Sequence, residues 1–235
     1  MFDDLRHSVK QIEFLADPTA GEVRIAGFDT MTGGFIPAVI DRLTRKLPRA
    51  SFRVFQALDP EGLHKMVRER SVDLIVLHLI AGEIEDEDLN VEILFPDSLA
   101  IVAGAKSKWV RRRRIELAEL VDEAWCLPME GTLSALGIAR AFRDKGLDPP
   151  RNVVNSNSLV LFQAMAATGR ILTVASRTRL RLSGKSSILK AVPVDLNIPW
   201  GNVSIVTLKH RSINPAAQLF IECAREVARL LATSK

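Results

Sequence analysis

Two short stretches of this chain place small polar and acidic residues where a strand hands over to a helix. In the first, Asp29, Thr30, Met31 and Thr32 follow the apolar stretch from Val23 to Gly27, and an amphipathic helix opens near Thr32-Gly-Gly-Phe35. In the second, Met129, Glu130, Gly131 and Thr132 follow Ala124-Trp-Cys-Leu-Pro128, and another helix opens shortly afterwards. Backbone N–H groups and short hydroxyls at the C-terminal end of a strand are where open α/β sheets take ligands. Leu58 and Asp59 after a second strand, Asn157 and Ser158 at a later helix start, and Ser176 after a later strand extend the candidate set. Helix N-termini carry unsatisfied N–H groups and partial positive charge, so several of them together favour a carboxylate or a similar anion. Asp29 and Glu130 pull the other way, because a carboxylate repels an anion and attracts an ammonium group. An amino acid, an amine or a polar neutral ligand is therefore admissible as well. Each of these residues also reads as a plain helix cap, and Asp59 and Ser158 fit that role best.

Catalysis would have to use Asp29 and Glu130 as acid and base. The chain has no nucleophile elbow, HExxH motif, phosphate-binding loop or histidine paired by spacing with a nucleophile, so it reads as a non-enzyme without cofactor or metal. His78 sits near the end of an apolar run and reads as a core histidine. The acidic stretch from Glu83 to Asp88 lacks the glycine and ligand spacing of a calcium loop and reads as solvated.

The elements that must position these residues alternate along the chain. Val23 and Ile25 flank Arg24 in a first strand; Phe35, Ile36, Val39, Ile40, Leu43 and Leu47 line the next helix, which stops at Pro48. Phe52, Val54 and Phe55 form a second strand, and Asp59-Pro60 gives a cap followed by proline at the first helical position. Val72 to Leu79 is a nearly continuous apolar run, which suits a parallel strand covered on both faces. A similar plan recurs after Trp125. A helix spans roughly Ser134 to Lys145 with Leu136, Ala139 and Phe142 inward, a Ser158-capped helix carries Leu159, Phe162 and Met165, and a strand runs from Ile171 to Val174. Val203 to Leu208 is a last strand, and Asn214-Pro215 opens a helix striped by Leu219, Phe220, Cys223, Val227, Leu230 and Leu231. Ahead of all this, Leu5, Val9, Ile12 and Leu15 mark an opening amphipathic helix whose stripe needs a partner.

At 235 residues and 47% hydrophobic the chain can bury one large core or two smaller ones. Its longest apolar runs are too short to cross a bilayer, and its first residues lack a secretory signal, so a cytoplasmic location without membrane contact is expected. Cys126 and Cys223 belong to no CxxC pair and read as buried thiols. The formal charge of +4 owes much to the run Arg111–Arg114, which lacks interleaved aromatics and reads as a solvated loop rather than a DNA contact.

The order of segments across nearly all of the chain resembles the regulatory, effector-binding part of LysR-type transcriptional regulators. The residues that carry the resemblance are Asp17-Pro-Thr-Ala-Gly-Glu-Val-Arg-Ile25, Phe35-Ile-Pro-Ala-Val-Ile-Asp-Arg-Leu43, Val72-Asp-Leu-Ile75, Leu94-Phe-Pro-Asp-Ser-Leu-Ala-Ile-Val102, Glu116-Leu-Ala-Glu-Leu120 and Trp125-Cys-Leu-Pro128. The resemblance implies an α/β, two-lobed fold like the type 2 periplasmic-binding proteins, with two Rossmann-like lobes and a cleft between them. Residues 1–18 would be the end of a linker helix, 19–103 and 204–235 lobe I, and 104–203 lobe II, with crossovers near 102–105 and 200–204. It further implies that a small-molecule effector (organic acid, amino acid or aromatic metabolite) binds between the lobes and shifts a homodimer or tetramer, lobe I of one subunit lying against lobe II of another. The winged helix-turn-helix that precedes the linker in the family is missing from this chain, so DNA would be met only through that absent domain. A free-standing solute-binding protein is the alternative expectation.

Overall fold

Alternating Val23 and Ile25, then Ala26 and Gly27, make Ala20–Gly27 (β1) the strand around which the first half of the chain is built; all four of these residues are buried. The computed structural model describes residues 17, 19–57, 59–80, 86–151, 154–184, 187–196, 198–210 and 212–233. The expected opening helix, Leu58 and the start of the acidic stretch at Glu83 lie outside the described residues.

The chain divides into two compact units, one containing residues up to Phe95 together with those from Asn202 onward, the other Pro96–Gly201. The first division falls earlier along Leu89–Gly104 (β4) than the stretch at 102–105, because Leu99 to Val102 already pair with Thr173–Ser176 (β7) inside the second unit.

In the first unit β1 lies parallel to Arg49–Gln56 (β2), from Ala20 opposite Arg49 to Gly27 opposite Gln56, and parallel on its other side to Leu74–Leu79 (β3). Every residue of β3 is buried, as its unbroken apolar run requires. The later strand Ile198–Leu208 (β9) returns antiparallel to β3, with Ile75 opposite Val206 and Leu79 opposite Asn202, and β4 lies beyond it. β2 is the edge, so Val54 and Phe55 are partly exposed, at 43% and 37%. A short helix, Asp29–Thr32 (α1), precedes Phe35–Thr44 (α2); Pro60–Arg68 (α3) connects β2 to β3, and Pro215–Thr233 (α7) closes the unit. Expected caps appear where the residue types place them: Asp59 accepts from the Gly62 N–H at 2.7 Å, and Asn214 accepts from the Ala217 N–H at 2.8 Å. Arg24 on β1 meets Asp73, the residue just before β3, through its backbone N–H and its guanidinium, at 2.8 and 2.7 Å.

The α2 stripe of Phe35, Ile36, Val39 and Leu43 is buried within its own unit, and α2 packs on α7. Phe220, Cys223 and Val227 on α7 are buried as well. Leu230 points out at 54% exposure while Leu231 is buried, which narrows the expected stripe on α7.

Glu226 on α7 ties the two helices together, accepting from Lys46 Nζ at 2.8 Å and from Arg42 Nε. Hydrogen bonds from Lys46 and then Arg42 hold its carboxyl down to about 2, well below its ordinary 4.5. A carboxylate whose folded value is depressed adds stability above its unfolded value and loses it as the pH falls through the folded one. In urea melts the gap between the wild type and Glu226→Gln is therefore expected in full above about pH 5, closing as the pH drops from 4.5 to about 2. A gap that stays constant across that window contradicts the assignment.

The second unit packs around Trp125, Phe142, Leu120, Ile138, Ile101 and Ile198. Here β4 continues antiparallel to β7 and also pairs with Leu189–Ala191 (β8). Cys126–Leu127 (β5) is parallel to Val154–Asn155 (β6), and a parallel bridge joins Trp125 to Leu172 just ahead of β7. The helices are Leu133–Arg143 (α4), Leu159–Ala167 (α5) and Arg177–Leu182 (α6), with 3-10 turns at Lys108–Arg111 and Leu117–Leu120. The expected inward role of Leu136 is corrected, since it is 60% exposed. Ile138, Ala141 and Phe142 define the buried face of α4, and a residue two before Ile138 lies on the opposite side of a helix.

Candidate functional site

In the first unit the three parallel strands β1, β2 and β3 end on one edge of the sheet, because Gly27 stands opposite both Gln56 and Val76. That register brings the residues after β1 and those after β2 to a common edge. Asp29, Thr30 and Thr32 sit there in α1 itself, half-buried, rather than in a loop ahead of a helix. The Met31 and Thr32 amides close back on the Phe28 carbonyl at 2.9 and 3.0 Å, and the Thr32 hydroxyl donates to the Asp29 carbonyl at 3.1 Å. Met31 is 1% exposed, its side chain spent on the core. Asp59 stands exposed at the start of α3, and its carboxylate caps that helix. Gly27 is required where it is: a Cβ there would stand 2.8 Å from the Val76 carbonyl oxygen.

The second unit repeats the arrangement. β5 runs parallel to β6 and, through the Trp125–Leu172 bridge, in the direction of β7, so the residues after all three strands share an edge. After β5, Met129 is 45% exposed, Glu130 and Gly131 are exposed, and Gly131 adopts φ +79°, a left-handed turn that favours glycine. Thr132 caps α4: its hydroxyl donates to the Met129 carbonyl at 2.7 Å and accepts from the Ala135 N–H at 3.3 Å. After β6, Asn157 Oδ1 accepts from the Met129 N–H at 3.2 Å, which ties the two loops, and Ser158 caps α5 through the Leu161 N–H. After β7, Ser176 caps α6 by accepting from the Arg179 N–H at 3.1 Å.

Asp97 was not visible as a site residue in the sequence. It is 7% exposed, and its Oδ2 accepts from the Ser176 hydroxyl at 2.6 Å while its Oδ1 accepts from the Thr178 N–H at 3.3 Å. A buried carboxylate is expensive unless hydrogen-bonded, and here the N-terminal end of α6 supplies the bonds. The only sequence signal is an acid following proline at the start of an apolar strand, which is too common to single out.

Each unit thus offers hydroxyls, carboxylates and helix-start amides at the C-terminal ends of parallel strands. At the starts of α3, α4 and α5 the cap takes the third amide of the turn, whereas at α6 Asp97 takes the Thr178 amide as well. Nucleophilic chemistry has little support: burial pushes the Cys126 and Cys223 thiols up, and both are free and buried. Among the described residues no group of three His, Cys, Asp or Glu side chains could hold a metal ion. His78 is buried within β3, at 7% exposure. No helix among the described residues is long and apolar enough to cross a membrane.

A family model described as the LysR substrate binding domain matches residues 16–229. The HTH-type transcriptional regulator GbpR of Azospirillum brasilense is 24% identical over 223 residues, which cover 94% of this chain and 64% of that protein. The chain therefore spans about 64% of that curated relative's length. Among solved structures, the CcmR regulatory domain of Synechocystis PCC6803 in complex with 2-PG superposes with a TM-score of 0.66 at 21% identity, over 88% of this chain and 97% of that one. The BenM effector binding domain with its effector benzoate gives a TM-score of 0.66 at 16% identity, over 91% of this chain and 95% of that one. These likenesses establish the fold.

Proposed function

This chain belongs to the LysR family through its substrate-binding domain, and on that premise we propose that it senses a small-molecule effector through the strand-end residues of both its units. The family is one of transcriptional regulators, and its effector-binding domains bind small molecules and act in oligomers. The observation that carries the proposal is the repetition of one arrangement: in each unit, parallel strands end together on hydroxyl and carboxylate residues beside helix starts. The residues assigned to the effector are Asp29, Thr30, Met31, Thr32, Leu58 and Asp59 from the first unit, and Met129, Glu130, Gly131, Thr132, Asn157, Ser158 and Ser176 from the second. Met31 and Ser176 act from within the core, by shaping the turn and the cap.

Helix-start amides suit a carboxylate, and the two relatives above are described with 2-PG and benzoate. Asp29 and Glu130 add a place for an ammonium group, so the amino acids stand beside the organic acids as effector classes. Binding would favour one arrangement of the chain through differential affinity, bias a dimer or tetramer, and reach DNA through a domain outside this sequence.

The test is a thermal-shift screen of the purified chain against organic acids, amino acids and aromatic metabolites, since a ligand that binds only the folded state raises its apparent stability. A dose-dependent shift of the wild type that is lost in Thr30→Trp and in Ser158→Trp, with both variants still melting cooperatively, is the expected outcome. Shifts that survive both substitutions would place the ligand elsewhere.

A further inference from the structure

The positive charge of this chain is segregated. The unit Pro96–Gly201 holds 16 Lys and Arg against 9 Asp and Glu, whereas the rest of the sequence holds 16 against 19. The excess is concentrated further, with six cations among the nine residues from Lys106 to Arg114.

Local acids neutralise half of these six. Lys108 pairs with Glu123 at 2.9 Å, Arg112 with Glu119 at 2.5 Å and Arg114 with Glu116 at 3.1 Å. Lys106, Arg111 and Arg113 are exposed and make no ion pair among the described residues. Arg170, also exposed and unpaired among them, adjoins the first of these. A Cβ on its neighbour Gly169 would stand 3.4 Å from the Lys106 Cβ. The paired cations give the stretch its shape: Trp109 is 7% exposed, with Lys108 Nζ 4.7 Å and Arg112 Cζ 5.6 Å from its ring centroid.

Beyond its role in effector sensing, we infer that Lys106, Arg111, Arg113 and Arg170 form a contact surface for the phosphodiester backbone of nucleic acid. Clustered free cations repel one another and are relieved by a polyanion, which releases its own counterions on binding. Three of the four are guanidiniums, whose planar fork matches two phosphate oxygens. A protein partner would ask for an apolar anchor, and no large apolar side chain between Lys106 and Arg114 is exposed. Stacking aromatics, absent from the run, are needed to hold bases but not to hold phosphates.

The experiment is fluorescence anisotropy of the purified chain with a labelled DNA duplex of arbitrary sequence, titrated across salt. Four phosphate contacts predict a slope of log affinity against log salt of about −3.6, or a loss of roughly 100-fold between about 50 and 200 mM. The fourfold variant Lys106→Gln, Arg111→Gln, Arg113→Gln, Arg170→Gln is expected to melt like the wild type and to lose most of that slope. Three results would overturn the inference. They are a wild type with no salt-dependent binding, a variant with an unchanged slope, and polyglutamate binding as tightly as DNA, which would assign the surface to an acidic protein. The second of these, if accompanied by a change of oligomeric mass in the variant, would assign the surface to a second copy of the chain.

Discussion

Trp125→Ala lowers the stability of the chain to urea by about 3–5 kcal/mol, the range for removing a large aromatic from a packed core. Trp125 is fully buried, sits edge-on to Phe142 with ring centroids 6.0 Å apart, and belongs to the cluster containing Leu120, Ile138 and Leu172. Its indole N–H also donates to the Leu120 carbonyl at 2.8 Å. Trp125→Phe separates the two contributions, because it keeps most of the ring volume and leaves that buried carbonyl without its donor, a cost of about 1–3 kcal/mol. The position matters for function because Trp125 immediately precedes β5 and pairs with Leu172, the bridge that aligns β5 with β7. Losing the ring should loosen the loop Met129–Thr132 as well as the core. A Trp125→Ala variant within about 1 kcal/mol of the wild type would show that this core can close over the cavity.

Gly104→Ala is expected to cost about 3 kcal/mol, the upper end for forcing an extra carbon into a packed interior. A Cβ at this position would stand 2.2 Å from the Ala166 carbonyl oxygen and 3.0 Å from its carbon, both main-chain atoms of α5. A side chain could rotate away, but a helix backbone must move as a body. The helix that would move carries Ser158 at its start, with Asn157 and its bond to the Met129 N–H just before, so effector affinity should fall together with stability. Gly131→Ala is the control. No atom lies within 4 Å of a Cβ there, and only the left-handed φ of +79° opposes it, at about 1–2 kcal/mol. Equal melting of Gly104→Ala and the wild type would contradict the close approach of β4 to α5.

What the sequence made legible was decided by short-range chemistry. Asp59, Ser158 and Asn214 are legible as caps because an oxygen before a helix has a nearby N–H to accept from, and each does so. The buried run of β3 followed from the absence of any polar alternation. The segment order carried the family resemblance, and the match over residues 16–229 bears it out.

The rest depended on contacts between residues far apart in the chain. Asp97 and Ser176 are separated by 79 positions, and no local pattern announces that one holds the hydroxyl of the other. The spacing of Leu136 to Ala139 and Phe142 predicts an inward side chain, yet the core approaches α4 from the side of Ile138. Short α1 was not anticipated because four residues are too few to show a period. The apolar stripe of α2 is legible in its spacing, but that it packs on α7, which begins about 170 residues later, is not.

The central claim, that the strand-end residues of each unit respond to an effector, is tested most directly by hydrogen exchange on the purified chain with and without the strongest hit of the ligand screen. The account predicts slowed exchange at the amides of Asp29–Thr32 in the first unit and, at the same ligand concentrations, at those of Met129–Thr132 and Asn157–Ser158 in the second. Slowed exchange confined to one unit, or lying away from both sets of strand ends, would contradict it.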